Sequence, residues 1–230
     1  MIKNLIENYI KKHKNSNFSF DPAISNTSIF HLLFSKSISF LRGLRFILVN
    51  QKLNKIFIGK KLKIINKSKI LVGNNVNIGE YVTLSALGKD GIKIDDNVSI
   101  GSFSQLVVST SYNNIGSHIF LGKNVGFGEF SYLGGAGGLE IGDDTIIGQY
   151  FSAHPENHNF NDDKKSIRLQ GVSRKGIKIG KNCWIGSKVT ILDGVNIGKN
   201  SVIASGAVVN KSFEDNVVIG GVPAKIIKKI

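Results

Sequence analysis

The sequence predicts a parallel β-helix made of short strands that close into triangular coils. Two observations carry that prediction: a six-residue spacing of aliphatic side chains, and glycines placed directly behind many of them. Ile179, Ile185, Ile191, Ile197, Ile203 and Val209 recur every six residues without a break, with Gly180, Gly186 and Gly198 behind three of them. A second phase runs through Ile115, Leu121, Phe127, Leu133 and Leu139, with Gly116, Gly122, Gly128 and Gly134 behind four. Shorter runs join Ile94, Ile100 and Leu106, then Ile141 and Ile147, and a weaker one lies near Ile58, Ile64, Ile70, Val76 and Val82. A helix repeats near 3.6 residues and an ordinary strand near 2, so neither explains this period. Six residues fit one strand plus a turn, and three such units close a coil of about 18 residues whose inward aliphatics stack on the next coil. The glycines suit turns that need either positive φ or close backbone approach.

Residues 1–57 lack the repeat and read as an N-terminal helical cap; residues 58–230 carry it. Ile2, Leu5, Ile6, Tyr9 and Ile10 follow the spacing of one helical stripe. Asp21-Pro22 and Ser25-Asn26-Thr27-Ser28 supply turn and capping chemistry before a second helix expected over residues 29–49. Lys36, Arg42 and Arg45 interrupt the apolar stretch of that helix, which counts against a membrane span. Capping the open end of the repeat, or a neighbouring subunit, is the expected role. Peripheral contact of residues 29–49 with a membrane is the alternative.

The chain has 230 residues, 26 glycines, 3 prolines and a single cysteine, Cys183. One cysteine excludes an internal disulfide and a cysteine-cluster zinc site, and a reducing cytoplasmic setting is the default expectation. At its coil position Cys183 reads as a small buried hydrophobe. The formal net charge of +14 favours an anionic partner without choosing one. No aromatic-rich basic platform or recognition helix accompanies it, so nucleic acid is not the expected partner.

The hexad breaks between Ala153 and Gly176, and an insertion of that length in a tight solenoid points to function. Two histidines, His154 and His158, stand at its mouth, four residues apart. Imidazole titrates near neutrality and suits general-base work on a hydroxyl nucleophile. Glu156, Asp162 and Asp163 are candidate carboxylates to orient such a base. Pro155 argues against a helix that would present both histidines to a metal, and none is expected. The run Gly134-Gly135-Ala136-Gly137-Gly138 lacks the lysine and hydroxyl of a nucleotide phosphate loop and reads as a distorted corner.

Over residues 58–230 the sequence resembles the hexapeptide-repeat acyltransferases. The resemblance is carried most specifically by Ile179-Gly180-Lys181-Asn182-Cys183-Trp184-Ile185-Gly186-Ser187 and by the ending Gly220-Gly221-Val222-Pro223-Ala224-Lys225. Sugar and surface-polysaccharide O-acetyltransferases resemble it most closely within that family. The resemblance implies a mainly β, left-handed parallel β-helix of about six to seven coils, with a long active-site loop over residues 153–176. It also implies acetyl-CoA as co-substrate and a homotrimer with the cofactor cleft between adjacent β-helices. Aligned without gaps from Ile141-Gly142-Asp143-Asp144, the family's catalytic histidine falls on His158, leaving His154 to shape the acceptor pocket and standing as the second candidate base. Trp184 would flank the acyl or acceptor site, and Ser187 is an oxyanion candidate. Ser205 and Gly206 would meet the pantetheine amides, and Lys211, Lys225 and Lys228 the phosphates. The family often has arginine at the last two positions, and lysine keeps the charge without the bidentate fork. The expected reaction is O-acetylation of a sugar hydroxyl in a capsular or lipopolysaccharide glycan. N-acetylation of an amino sugar or antibiotic, and a non-catalytic β-helix scaffold, are the alternatives.

Overall fold

The computed structural model describes residues 2–13, 16–47 and 54–230. Two helices, α1 (Ile2–His13) and α2 (Asn26–Ile47), precede a parallel β-helix with three faces. The first face stacks Ile56–Ile58, Val76–Ile78, Ser99–Ile100, Gly126–Phe127, Ile146–Ile147, Trp184–Ile185, Val202–Ile203 and Val217–Gly220, and ends on Lys225–Lys229 running antiparallel. The second face stacks Lys63–Ile65, Thr83–Ser85, Gln105–Val107, Tyr132–Gly134, Ser152–His154, Thr190–Leu192 and Val208–Val209. The third stacks Ile70–Val72, Gly88–Ile94, Gly116–Leu121, Leu139–Ile141, Ile177–Ile179 and Asn196–Ile197. The second face has seven strands, one from each of seven coils, and a bridge from Ile197 to Phe213 closes the last.

The six-residue spacing follows from how the corners are built. Between the first and second faces the inward residues are always six apart, as in Ile58 to Ile64, Phe127 to Leu133 and Ile203 to Val209. Between the third and first faces they are again six apart, as in Ile94 to Ile100 and Ile179 to Ile185. All variation in coil length falls at the remaining corner, between the second and third faces. There the third coil steps from Leu106 to Leu121 and the fifth from Ala153 to Ile179, whereas the sixth steps only from Ile191 to Ile197. That corner is the variable edge of the prism.

Ile179, Ile185, Ile191, Ile197, Ile203 and Val209 are all buried in one continuous core, as their spacing predicts. Ile115 is not. It sits exposed at the end of a loop, and Ile119 takes the inward position because it pairs with Ile92, past a register shift between Gly88 and Gly91. The glycines behind the inward residues serve close approach rather than positive φ. A Cβ on Gly186 would lie 2.5 Å from the Ser205 nitrogen, and one on Gly128 2.7 Å from the Gln149 nitrogen. Positive φ falls two residues later, on side-chain-bearing residues. At the corner from third to first face these are mainly asparagines, which tolerate that conformation and donate amide hydrogen bonds up the stack, from Asn75 to Asn97 to Asn124 to Asp144. At the corner from first to second face they include Tyr81, Phe103, Phe130 and Tyr150. These four rings stack nearly parallel, with centroids 5.1, 5.0 and 5.2 Å apart. Stacking offsets part of the conformational cost.

Three boundaries differ from the sequence expectation. The helix expected over residues 29–49 begins at Asn26, because the Ser25 hydroxyl accepts the Ser28 N–H at 3.0 Å and starts the turn earlier. Residues 48 and 49 lie outside the described residues. The first coil strand starts at Ile56 rather than at residue 58, because Ile56 already pairs with Val76. The insertion expected from Ala153 leaves the coil only at Pro155. Ala153 is an inward core residue paired with Leu133 and Ile191, and His154 pairs with Leu192. The α2 helix lies on the first strand: a Cβ on Gly43 would stand 1.8 Å from the Ile56 carbonyl oxygen, and Phe40 meets Phe57 at 5.9 Å. Lys36 reaches the Asn77 amide and Arg42 the Ile58 carbonyl, so these interior cations face the β-helix. Phe30, Leu33, Phe34 and Leu41 are left on the outer side. Among the described residues no helix is long and apolar enough to cross a membrane.

Candidate active site

The variable edge gathers the candidate chemistry. From the third coil it sends out a loop over residues 108–115, and from the fifth an arm over residues 155–176. The intervening fourth coil turns the same corner with Gly134 to Gly138 and leaves a depression between loop and arm. Space requires small residues there: a Cβ on Gly135 would meet the His118 carbonyl at 2.8 Å, and one on Gly137 the Pro155 carbonyl at 2.3 Å. A cavity of about 290 Å³ opens over this corner. Its floor is Val107, Val108, Gly134, Gly135, Ala136 and Pro155, and its polar wall is Ser109, Thr110, Ser111, Tyr132, His154, Glu156, His158 and Arg174.

Both candidate histidines therefore line one cavity. They reach it from different elements. His154 ends the coil strand Ser152–His154, and its ring stacks on Tyr132 at 5.3 Å. Partial desolvation holds its pKa below the ordinary imidazole value. His158 belongs to the arm, whose stem pairs Asn157–His158 antiparallel with Val172–Ser173. The arm's outer part is ordered by the Gln170 amide, which donates to the Asp162 and Lys165 carbonyls while its oxygen accepts the Asp162 N–H. Asp193 receives the arm as it rejoins the coil, accepting the N–H groups of Lys175 and Gly176 at 2.8 Å.

Of the carboxylates considered from sequence, only Glu156 lines the cavity. Asp162 is used within the arm, where its carboxylate also pairs with Lys165. Glu156 accepts from the Arg174 Nε at 2.6 Å. Burial, with a smaller contribution from the negative charge of Glu156, raises the Tyr132 phenol pKa above its usual value. Sequence reasoning had missed Tyr132, Arg174 and the loop 108–115. Tyr132 occupies an ordinary outward position of a hexad, and Arg174 acquires meaning only once the two insertions meet. The long step from Leu106 to Leu121 was the available signal for the loop.

The residues expected on the donor side lie elsewhere on the chain. Trp184 is exposed on the outer side of the first face and does not line the cavity. Ser187, Ser205 and Gly206 sit at the corner between first and second faces, where the Ser187 hydroxyl donates to Gln149 at 2.8 Å. Lys211 and Lys225 line a separate shallow depression at the C-terminal end with Ser212, Phe213, Glu214 and Ile226. Lys228 is exposed on the last strand, beside the Lys229–Glu214 ion pair. Coenzyme A needs open backbone for its amides and cations for its phosphates. Gly206 has positive φ with no heavy atom within 4 Å of an added Cβ, and two lysines share one depression, so these residues fit that donor chemistry. Within one chain Ser187, Ser205 and Gly206 occupy a different edge from His158, whereas Lys211 lies at the variable edge itself, two coils further on at the C-terminal end. Cys183 is buried, and desolvation raises its thiol pKa, which suits packing rather than acyl relay.

Comparison with known proteins gives the class. The family model for bacterial transferase hexapeptide, six repeats, matches residues 176–211. The chain is 33% identical over 165 residues to the Saccharomyces cerevisiae protein YJL218W, assigned to the acetyltransferases, covering 70% of this chain and 83% of that one. It is 36% identical over 124 residues to the Escherichia coli galactoside O-acetyltransferase, covering 52% of this chain and 58% of that one. Over 118 residues it is 33% identical to Escherichia coli WbbJ, assigned to lipopolysaccharide O-acetyl transfer, covering 48% and 60%. It thus spans less than two thirds of the length of these last two relatives. The chain belongs to the hexapeptide-repeat acyltransferase family, whose left-handed β-helix is the fold class read from the sequence, and it is an acyltransferase by that membership.

Proposed function

We propose that the chain is an acetyl-CoA-dependent O-acetyltransferase that modifies a sugar hydroxyl of a surface glycan, with His158 as general base. The observation that carries this reading is the cavity at the variable edge, where both histidines face a wall of hydroxyl, carboxylate and guanidinium groups. A neutral sugar suits that wall. Its one guanidinium, Arg174, is already bound to Glu156, Asn114 and Ile115. The net charge of +14 therefore does not translate into an anion site in this cavity.

Acetyl-CoA supplies an activated acyl carbonyl. His158 takes the proton from the acceptor hydroxyl as that oxygen attacks, and the imidazolium returns it to the departing sulfur, in direct transfer without an acyl-enzyme. His154, kept neutral, and Tyr132 hold the acceptor. Lys211, Lys225 and Lys228 take the phosphates, and Ser205 and Gly206 meet the pantetheine. Because Ser205 and Gly206 sit on another edge and the lysines at the C-terminal end, a homotrimer in which one copy's His158 faces a neighbour's donor groups is part of the proposal. Trp184 and Ser187 would then belong to that shared cleft. A cytoplasmic setting, with α2 touching the inner membrane face through its exposed apolar side, completes it.

The test is thiol release from acetyl-CoA by the wild type and His158→Ala across hydroxyl and amine acceptors. We expect hydroxyl-dependent turnover that falls about 10²- to 10⁴-fold in the variant. Turnover confined to amines would replace this reading by N-acetyl transfer, and survival in His158→Ala with loss in His154→Ala would move the base. No acetyl-CoA binding would leave a scaffold.

A further inference from the structure

Arg174 joins the two insertions of the variable edge. Its Nε donates to Glu156 at 2.6 Å on the outgoing strand of the arm. Its Nη1 donates to the Asn114 side-chain oxygen at 2.9 Å and to the Ile115 carbonyl at 3.0 Å, and its Nη2 to the Asn114 carbonyl at 3.1 Å. Four of the five guanidinium donors are thereby used, and the Arg174 side chain is only 19% exposed. Glu156 and Arg174 extend the stem by one rung beyond the pairs Asn157–Ser173 and His158–Val172. The same side chain that ties the stem beneath His158 thus also grips the far end of the loop that carries Ser109 to Ser111. No other hydrogen bond or ion pair described between the arm and that loop does so.

Resting on the reading of this cavity as the acceptor site, we propose that Arg174 is a positioning residue that fixes the gap between loop 108–115 and the arm, and so selects which acceptors reach His158. The acceptors on the loop side are two carbonyls and one amide oxygen, none charged, and they are spread around a planar fork. A lysine keeps the ion pair with Glu156 but offers no plane to span the three oxygens. The loop would then be free to move while the stem and the base stay in place. The consequence falls on the acceptor and not on the donor, whose pantetheine groups lie on another edge and whose lysines lie at the C-terminal end.

The experiment compares wild type, Arg174→Lys and Asn114→Ala with two hydroxyl acceptors of different size. Asn114→Ala removes one loop contact and leaves the Glu156 pair intact. We expect the acceptor KM to rise about 10-fold or more in Arg174→Lys, with a smaller rise in Asn114→Ala, an altered preference between the two acceptors, and the acetyl-CoA KM within about two-fold of wild type. Hydrogen exchange of the backbone amides in residues 109–115 is measured on the same proteins and is expected to accelerate in both variants. Unchanged acceptor KM in Arg174→Lys overturns the proposal. So does a parallel rise of both KM values with a lowered melting temperature, which would make the contact merely structural. Should wild type turn over no acceptor, the functional reading fails, and exchange alone decides the clamp: faster exchange in Arg174→Lys sustains it, and equal exchange overturns it.

Discussion

His154 and His158 are four residues apart, yet the fold gives them separate environments. His154 is fixed to the coil and shielded by the Tyr132 ring, whereas His158 stands on a two-rung stem that the coil only borders. The lowered pKa of His154 has a consequence for stability. Over the interval between its folded and unfolded pKa values the unfolded chain binds more protons, so stability rises with pH there. The contribution is complete above the unfolded value, near 6.5, and is lost as pH falls through the folded value. We therefore expect the melting temperature to drop as pH falls from about 7 toward 5, and the drop to be shallower in His154→Gln. Equal slopes in the two proteins would show that the fold does not desolvate the His154 ring. Both histidines were legible in the sequence because they stand where a regular repeat stops. Tyr132 and Arg174 were not, since an outward hexad position and a loop arginine acquire their roles only from neighbours 22 and 60 residues away, at His154 and Asn114.

At the scale of the coil, the six-residue rule was readable because its cause is local: one strand, one corner, one inward side chain. Its error at Ile115 has an equally local cause. A run of sixes extended backwards from Leu121 crosses into a loop whose length the rule does not govern, and strand pairing with Gly88–Ile94 restores the inward position at Ile119. Two glycines of the fourth coil separate conformational from steric demands. Gly126 has open space around an added Cβ and no positive φ, while a Cβ on Gly128 would collide with Gln149 of the next coil. We expect Gly126→Ala to change stability by no more than about 0.5 kcal/mol, and Gly128→Ala to cost about 1–3 kcal/mol, in urea unfolding of the two variants. Similar losses would mean that close approach to Gln149 is not what keeps Gly128.

For the whole molecule, stability is a chain of neighbour contacts along the coils, so its ends matter as much as its middle. The α2 helix covers the first strand through a backbone approach that only glycine permits at position 43. In Gly43→Ala the helix should lift from Ile56, with a loss of about 1–3 kcal/mol and increased binding of an apolar dye. Turnover per folded molecule should be unchanged, since the cavity lies on coils three to five. Loss of activity in step with stability would instead tie the cap to the site. That helices precede the coils was foreseeable from the missing repeat and the helical stripe. Which side of α2 faces them was not, because Lys36 and Arg42 look like solvent-facing cations until Asn77 and the Ile58 carbonyl are placed beside them.

Two corners of the prism keep a step of six through every coil, and only the third admits extra chain. With the cavity as the proposed acceptor site, substrate choice is thereby separated from architecture. The segments 108–115 and 155–176 form an exchangeable cassette, open to insertion and deletion without any shift in the register of the other two edges. Relatives could diverge in what they modify by rewriting that cassette alone, and a chimaera carrying a relative's pair of segments, transplanted together so that the clamp survives, should fold and change its acceptor.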